Sequence, residues 1–301
     1  MGLRPYTAFF TTGDATAYPI HIPDSFDLNS EQNRRLDEYL EKRMQGNFTM
    51  AGIRFWPEMH GLGEDFLARA AQYQQVVPVF TNVIFDTSQP HSNVVFPHMF
   101  VWLDQVVELA QAHPETLFVI RAHPDEARPG KESRESVSAW VREKDVLRHP
   151  NILFVEPRQY FSSYELIQRA KFVMVYNSTI GLEAALMGAP VLCGGRARFT
   201  QLPTVFFPQT PEAYCQQAEA FLTAASIEVP AEFKRNARRF LYYQLYRTSL
   251  PFDAFIEEDG VWQGYVRIKD LDVAAFDPHN APVLQTIVNG LLKGGEFLLD
   301  E

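Results

Sequence analysis

Between residues 76 and 193 the chain alternates short, uninterrupted apolar runs with amphipathic stretches. Strands buried on both faces are apolar throughout, whereas strands with one wet face alternate apolar and polar residues. The runs here are therefore typical of a parallel sheet that helices cover on both sides. They predict strands at residues 76–81, 116–120, 152–155, 172–176 and 190–193.

The stretches between these runs have the periodicity of helices. In residues 98–110 apolar side chains recur at positions 99, 102, 103, 106, 107 and 110, which places them on one helical face. Further helices are expected over residues 133–144, 163–170 and 180–187. Alternating strands and helices predict an α/β fold, a Rossmann-like, doubly wound parallel sheet.

The two flanks lack this alternation. The first 74 residues contain one clear helix, at 30–45, between irregular stretches. Two helices, at 212–225 and 231–246, and a mixed tail follow the central segment. We therefore predict an N-terminal extension over residues 1–74, a Rossmann-like domain over 75–226, and a C-terminal helical extension with a tail over 227–301.

Composition narrows the class of protein. A chain of 301 residues with 46% hydrophobic residues is an ordinary globular protein. Its net charge of -10 argues against a nucleic-acid partner, although a few local donors can still hold a small phosphorylated ligand. Cys193 and Cys215 suggest neither a zinc site nor a disulfide framework. The start resembles no signal peptide, so we expect a cytoplasmic protein, either free or peripheral at the inner face of the membrane.

Three His-Pro dipeptides occur, and their positions relative to the strands differ. In an open parallel sheet ligands bind beyond the carboxyl ends of the strands. His113 and His149 each precede a predicted strand, so they belong to turns at the opposite edge. His123 alone follows a strand. It is therefore the histidine expected at the ligand-binding edge.

Charged residues flank His123. A guanidinium such as Arg121 and an imidazole can both donate to phosphate oxygens, and Pro124 stiffens the turn that presents them. The alternative is a simple turn in which Arg121 pairs with Asp125 or Glu126.

A second polar cluster begins where the strand at 172–176 ends. Asn177, Ser178 and Thr179 lie at the start of a predicted helix, where N–H groups and hydroxyls can bind an anion. These residue types also cap helices. A capping box would need an acid three positions after the cap. Glu183 is four positions after Thr179, so we expect its carboxylate to reach the hydroxyls of a ribose or sugar.

Two further candidates are weaker. Ser162 and Ser163 follow the strand at 152–155, but Ser162 and Glu165 also have the spacing of a capping box, and both interpretations stay open. Asp86 lies in the polar stretch 82–88 after the first strand. It is either a base or sugar contact, or the residue that closes an Asx turn.

Several common motifs are missing from the sequence. The chain has no Gly-x-Gly-x-x-Gly fingerprint, no P-loop and no Gly-x-Ser-x-Gly elbow. The loop at 194–198 contains two glycines and two arginines, and it either approaches a phosphate or simply connects two elements.

Residues 118–126 and 175–191 together resemble bacterial capsular polysaccharide biosynthesis glycosyltransferases and, more distantly, the glycerophosphotransferases of teichoic-acid synthesis. Both groups have the two-Rossmann architecture called GT-B, and these motifs lie in its C-terminal, donor-binding half. The resemblance extends over about residues 75–245.

The resemblance implies roles for the motif residues. His123 would contact the donor phosphates, Ser178 and Thr179 the phosphate or ribose, and Glu183 the hydroxyls. Arg121 would help to neutralise the leaving nucleotide. The predicted catalytic residues are His123, Glu183 and Asp86. The predicted binding residues are Arg121, His123, Pro124, Glu126, Ser162, Ser163, Asn177, Ser178, Thr179 and Glu183.

The expected activity is transfer of a sugar from a CMP- or UDP-linked donor to a surface polysaccharide or glycolipid acceptor, with neither a metal nor a separate cofactor. Only one Rossmann-like half is visible in the sequence, and the first 74 residues are too few for another. The acceptor half is therefore truncated, reduced to a remnant in residues 1–74, or supplied by another chain or a second copy. Two alternatives stay open: a nucleotide-sugar epimerase with the GT-B layout, and a non-catalytic nucleotide-binding module.

Overall fold

The structure, a computed structural model, describes residues 22–44, 61–84, 89–127, 135–159, 162–261 and 265–299, together with the paired backbone of 7–8. Of these, residues 61–237 form one compact unit and the others form a second.

The strands are β1 (Thr7–Ala8), β2 (Gln75–Phe80), β3 (Thr116–Arg121), β4 (Ile152–Val155), β5 (Val173–Val175), β6 (Val191–Cys193), β7 (Leu250–Pro251), β8 (Ile256–Glu258) and β9 (Val266–Ile268). The helices are α1 (Ser30–Met44), α2 (Glu64–Ala70), α3 (Gln89–Ser92), α4 (Met99–Ala112), α5 (Val137–Glu143), α6 (Ser163–Gln168), α7 (Ile180–Met187), α8 (Pro211–Thr223), α9 (Ala231–Tyr242) and α10 (Pro282–Lys293).

The first unit is built on a five-stranded parallel sheet with the strand order β4-β3-β2-β5-β6. The chain enters this sheet at its central strand, β2, and adds β3 and β4 on one side. It then crosses back and adds β5 and β6 on the other side of β2. This reversal confirms the predicted doubly wound α/β fold. It also creates a switch point between β2 and β5, where such sheets have their ligand crevice.

The core of this unit explains the apolar runs. Every residue of β3, β5 and β6 is buried. Each large side chain removed from water in this way contributes about 1.5–3 kcal/mol. On α4, the fully buried indole of Trp102 donates from Nε1 to the hydroxyl of Tyr214 on α8 at 2.7 Å. Gly194 lies against the same indole, since a Cβ there would be 2.6 Å from Nε1.

Side-chain hydrogen bonds stabilise the edge of the sheet at which the strands begin. The buried amide of Asn151 donates to the carbonyls of Ala110, His113 and Thr116 at 2.7–3.1 Å. The ring of His113 bridges Glu115 at 3.2 Å and Glu219 of α8 at 2.7 Å. This edge is therefore held by side chains that take no part in the predicted site.

The second unit contains α1, the end of α9, the β1–β7 and β8–β9 antiparallel pairs, and α10. Arg238 joins the parts of this unit that are distant in sequence. Its guanidinium pairs with Asp37 at 2.7 Å and donates to the side chain of Asn33 at 2.8 Å. Residues from both flanks of the chain thus belong to one unit.

Most predicted elements agree with the structure to within a few residues, and some do not. The N-terminal flank was expected to hold one helix, but α2 is a second; its seven residues are too few to show a clear period. α10 was not predicted. The helix expected to reach residue 246 ends at Tyr242, and a π-helical turn follows at Tyr243–Arg247. Within the described residues, none of the helices has both the length and the apolar content needed to span a bilayer.

Candidate functional site

The two strands at the switch point end in polar residues that contact each other. The backbone N–H of Asn177, after β5, donates to Oδ1 of Asn82, after β2, at 3.3 Å. The side-chain amide of Asn177 donates to the hydroxyl of Ser92 at the end of α3. All three residues are buried, and buried polar groups require such partners. The predicted Asn177 therefore lies at the switch point, with Asn82 and Ser92 as neighbours that sequence reasoning did not single out.

The next residues start α7. The carbonyl of Ser178 accepts from the N–H of Gly181 at 2.9 Å, and that of Thr179 accepts from Leu182 at 3.1 Å. Thr179 occupies the capping position, yet its side chain makes no capping hydrogen bond. Thr179 is exposed, whereas Ser178 is buried. This arrangement leaves Thr179 on the surface at the positive end of the helix dipole.

Glu183 lies one turn further along α7. Its side chain is only 4% exposed, and Oε2 accepts a hydrogen bond from the hydroxyl of Tyr164 on α6 at 2.5 Å. A buried carboxylate is costly unless other groups hydrogen-bond to it. Tyr164 was not predicted as a site residue, and its only sequence signal was its position in a polar stretch after β4.

Arg121 is the last residue of β3, beside Phe80 of β2 and Val155 of β4. Its carbonyl accepts from both the N–H and the hydroxyl of Thr81. The side chain is 4% exposed, and this burial lowers the pKa of the guanidinium to about 10. At neutral pH Arg121 is therefore a buried cation at the carboxyl edge of the sheet.

The His123 ring lies in a tight turn. Its Nδ1 accepts from the N–H of Asp125 at 3.2 Å, and its carbonyl accepts from the N–H of Glu126 at 3.0 Å. Because Nδ1 is an acceptor, we assign the proton of the neutral ring to Nε2, which makes Nε2 a donor. Pro124 opens the 3₁₀ turn Pro124–Ala127 that fixes this geometry.

The side chain of Glu126 contacts the start of α5. Its Oε1 accepts from the N–H of Val137 at 3.0 Å, and Oε2 is buried without a hydrogen-bond partner. Burial raises the pKa of this carboxyl. Ser136 caps the same helix through the N–H of Ala139. In this structure Glu126 therefore holds the start of α5.

The serines after β4 lie at the start of α6. Ser162 accepts from the N–H of Glu165 at 3.2 Å, so the capping interpretation holds for this residue. The carboxylate of Glu165 accepts instead from the N–H of Leu62 at 3.1 Å. Ser163 is the half-buried first residue of α6. Asp86 lies outside the described residues.

The loop after β6 is shaped by packing. The N–H groups of Gly194 and Gly195 continue the sheet by donating to the carbonyls of Val175 and Tyr176 at 2.8 Å. A Cβ on Gly195 would be 3.1 Å from the ring of Tyr176. These glycines allow close contact, which accounts for them without a phosphate.

A cavity of about 490 Å³ lies elsewhere in this unit, between residues 205–208, one face of α8 and Phe233. Its lining is apolar apart from Gln216 and Gln217, and it includes none of the predicted site residues. Among the described residues, no group of three or more His, Cys, Asp or Glu side chains is arranged to hold a metal ion.

Comparison with known proteins identifies relatives of the central segment. Residues 67–204 match the family model of the capsule polysaccharide biosynthesis proteins. Protein FixF of Sinorhizobium fredii (strain NBRC 101917 / NGR234) is 34% identical over 97 residues, which are 32% of this chain and 20% of FixF. The chain thus matches only about a fifth of that curated relative.

Two solved structures extend the comparison to most of the chain. The beta Kdo 2,4 transferase of Thermosulfurimonas dismutans KpsC has a TM-score of 0.51 at 11% identity, covering 91% of this chain and 71% of that one. The beta Kdo 2,7 transferase of the same protein has a TM-score of 0.43 at 14% identity, covering 87% and 68%. The similarity to the beta Kdo 2,4 transferase is a similarity of fold. The family match confirms the resemblance to capsule polysaccharide biosynthesis proteins over residues 67–204.

Proposed function

We propose that this chain supplies the donor-binding part of a glycosyltransferase, which moves a sugar from a nucleotide-activated donor to a surface polysaccharide or glycolipid acceptor. The observation that carries this proposal is the position of Asn177–Glu183, the stretch that opens α7 at the switch point of a parallel sheet. The match of residues 67–204 to the capsule polysaccharide biosynthesis family supports the same activity.

The donor phosphates are proposed to bind where α7 begins. Backbone N–H groups and the helix dipole favour an anion there, and the hydroxyl of the exposed residue Thr179 is proposed as a further donor. The Nε2–H of His123 is the proposed side-chain donor to the phosphates.

Arg121 is proposed to act through its charge. A cation that is 4% exposed interacts more strongly with a developing negative charge than one in water does. Departure of the nucleotide leaves negative charge on its phosphate, and fixed positive charge nearby lowers the barrier to that step.

Glu183 is proposed to accept hydrogen bonds from the ribose of the donor. Its carboxylate is buried and oriented by Tyr164, so it is ordered before the ligand arrives. Such preorganisation reduces the entropy lost on binding.

The acceptor site and the general base are proposed to involve surfaces other than this sheet, contributed by another chain or by a second copy. CMP and UDP are the proposed nucleotides, and transfer is proposed to need no metal.

The test is a thermal-shift panel of CMP, CDP, UDP and GDP at millimolar concentration, with and without EDTA. A ligand that binds only the native state stabilises it, by about 2.7 kcal/mol at a hundred times its Kd. We expect CMP or UDP to raise the unfolding midpoint by about 5 °C or more, unchanged by EDTA. If no nucleotide shifts the midpoint, the proposal is wrong. Epimerisation of a donor sugar without an acceptor would contradict transfer.

A further inference from the structure

The hydroxyl of Tyr164 donates to Oε2 of Glu183 at 2.5 Å, across 19 positions of sequence. Tyr164 is half-buried and Glu183 is buried. A hydrogen bond to an ionised carboxylate is shorter and stronger than one between neutral groups. This contact therefore restricts the directions in which the carboxylate of Glu183 can point.

The start of α6, which carries Tyr164, is itself fixed. Ser162 caps the helix through the N–H of Glu165, and the carboxylate of Glu165 accepts from the N–H of Leu62. Neighbouring residues on α6 thus make two separate contacts, Glu165 with Leu62 and Tyr164 with α7. The Tyr164 ring is presented from a helix end with little freedom to move.

The facing helix α7 is fixed by close packing. A Cβ on Gly181 would be 2.9 Å from Val175 of β5 and 3.1 Å from Phe199, so α7 lies directly against the sheet. With both helices in place, the remaining freedom at Glu183 is in its side-chain torsions. The Tyr164 hydroxyl restricts those torsions.

We infer that Tyr164 is a positioning residue, which holds the Glu183 carboxylate in the orientation that accepts hydrogen bonds from the donor's ribose. This inference rests on the proposed function. Sites in which neighbouring groups lock each binding side chain bind more tightly, because less ordering remains to be done on binding. Tyr164 itself need not touch the ligand.

The experiment is calorimetric titration of CMP and of UDP into the wild type, Tyr164→Phe, Glu183→Gln and the double variant. Tyr164→Phe removes one hydroxyl and should weaken binding about tenfold, a loss typical of a hydrogen bond to a charged group. The double variant should bind no more weakly than Glu183→Gln alone, because Tyr164 acts through Glu183.

Tyr73→Phe is the matched control. The hydroxyl of Tyr73 donates to the carbonyl of Pro150 at 2.6 Å, at the opposite edge of the sheet. The same atom is lost from a hydrogen bond far from the proposed site, so binding should equal that of the wild type. Equal urea unfolding midpoints for Tyr164→Phe and Tyr73→Phe would show that a loss of binding in Tyr164→Phe is not a loss of folding.

The outcomes separate the two proposals. If Glu183→Gln loses binding while Tyr164→Phe binds as the wild type does, the positioning inference is wrong and the proposed function stands. The double variant can also bind more weakly than Glu183→Gln, by the same factor by which Tyr164→Phe binds more weakly than the wild type. In that case Tyr164 acts independently of Glu183, which also overturns the inference. A wild type that binds neither CMP nor UDP overturns the proposed function and the inference with it.

Discussion

The backbone N–H of Asn177 donates to Oδ1 of Asn82 across 95 positions of sequence. One residue follows β5 and the other follows β2, so their hydrogen bond spans the point where the strand order reverses. It also joins a residue of the predicted binding motif to a stretch for which the sequence alone gave no definite role. The carboxyl ends of the two central strands are thereby tied together.

Replacing Asn82 with alanine should both destabilise the protein and weaken nucleotide binding. The N–H of Asn177 would lose its partner while it stays buried, at a cost of about 1–3 kcal/mol in the free energy of unfolding. Urea denaturation measures this cost, and the thermal shift with CMP or UDP measures binding. Asn151→Ala is the control, because it removes a buried amide from the opposite edge. It should lose stability but keep affinity, and equal losses of affinity in both variants would count against a site at the switch point.

Replacing His123 with alanine should abolish the nucleotide-induced thermal shift. The change removes the Nε2–H donor and the bond from the N–H of Asp125 within the turn, whose loss should lower the free energy of unfolding by about 1 kcal/mol. His149→Ala is a matched control, since it alters another His-Pro turn, before β4 rather than after a strand. The assignment fails if His123→Ala retains the full shift, or if His149→Ala loses it.

The link between His113 and Glu219 should make stability depend on pH. Burial alone lowers the pKa of the His113 imidazole, but the hydrogen bonds to Glu219 and Glu115 outweigh it and raise the pKa. Protonation therefore stabilises the folded state. This stabilisation is fully present below the pKa of His113 in the unfolded chain, about 6.5. It disappears as the pH rises through the higher pKa that His113 has in the folded protein.

Urea denaturation of the wild type and His113→Gln tests this at pH 5.5 and pH 9. The difference in unfolding free energy between the two proteins should be larger at pH 5.5. His279→Gln is the control, because the His279 side chain is 87% exposed. The difference in unfolding free energy between the wild type and His279→Gln should change less between the two pH values. An equal difference for His113→Gln at both pH values contradicts the prediction.

Substituting Gly194 with alanine should destabilise the first unit. The new methyl group would be 2.6 Å from Nε1 of Trp102, and the buried indole is already bonded to Tyr214. Overpacking of this kind costs about 1–3 kcal/mol. Gly295→Ala has no neighbour closer than 3.5 Å and should stay within about 0.5 kcal/mol of the wild type. Denaturation followed by tryptophan fluorescence compares them, and equal midpoints would show that Trp102 can move aside.

The sequence by itself determined the architecture of the central segment. A strand buried on both faces is apolar along its whole length, and a helix packed on a sheet repeats its apolar residues with the helical period. Both patterns can be recognised within one segment of the sequence, even when the elements that pack against it are not known. The same local logic placed His123 and Asn177 after strands, at the edge where ligands bind.

Contacts between elements depend on strand order and on the direction of each side chain, which periodicity does not encode. Only the tertiary structure decided that Tyr164 contacts Glu183, that Glu126 contacts the start of α5, and that Asn82 contacts Asn177. It also decided that Arg238 pairs with Asp37, which joins the two flanks in one unit. Each of these pairs brings together residues that are distant in sequence, or aims a side chain away from the neighbours that sequence suggests.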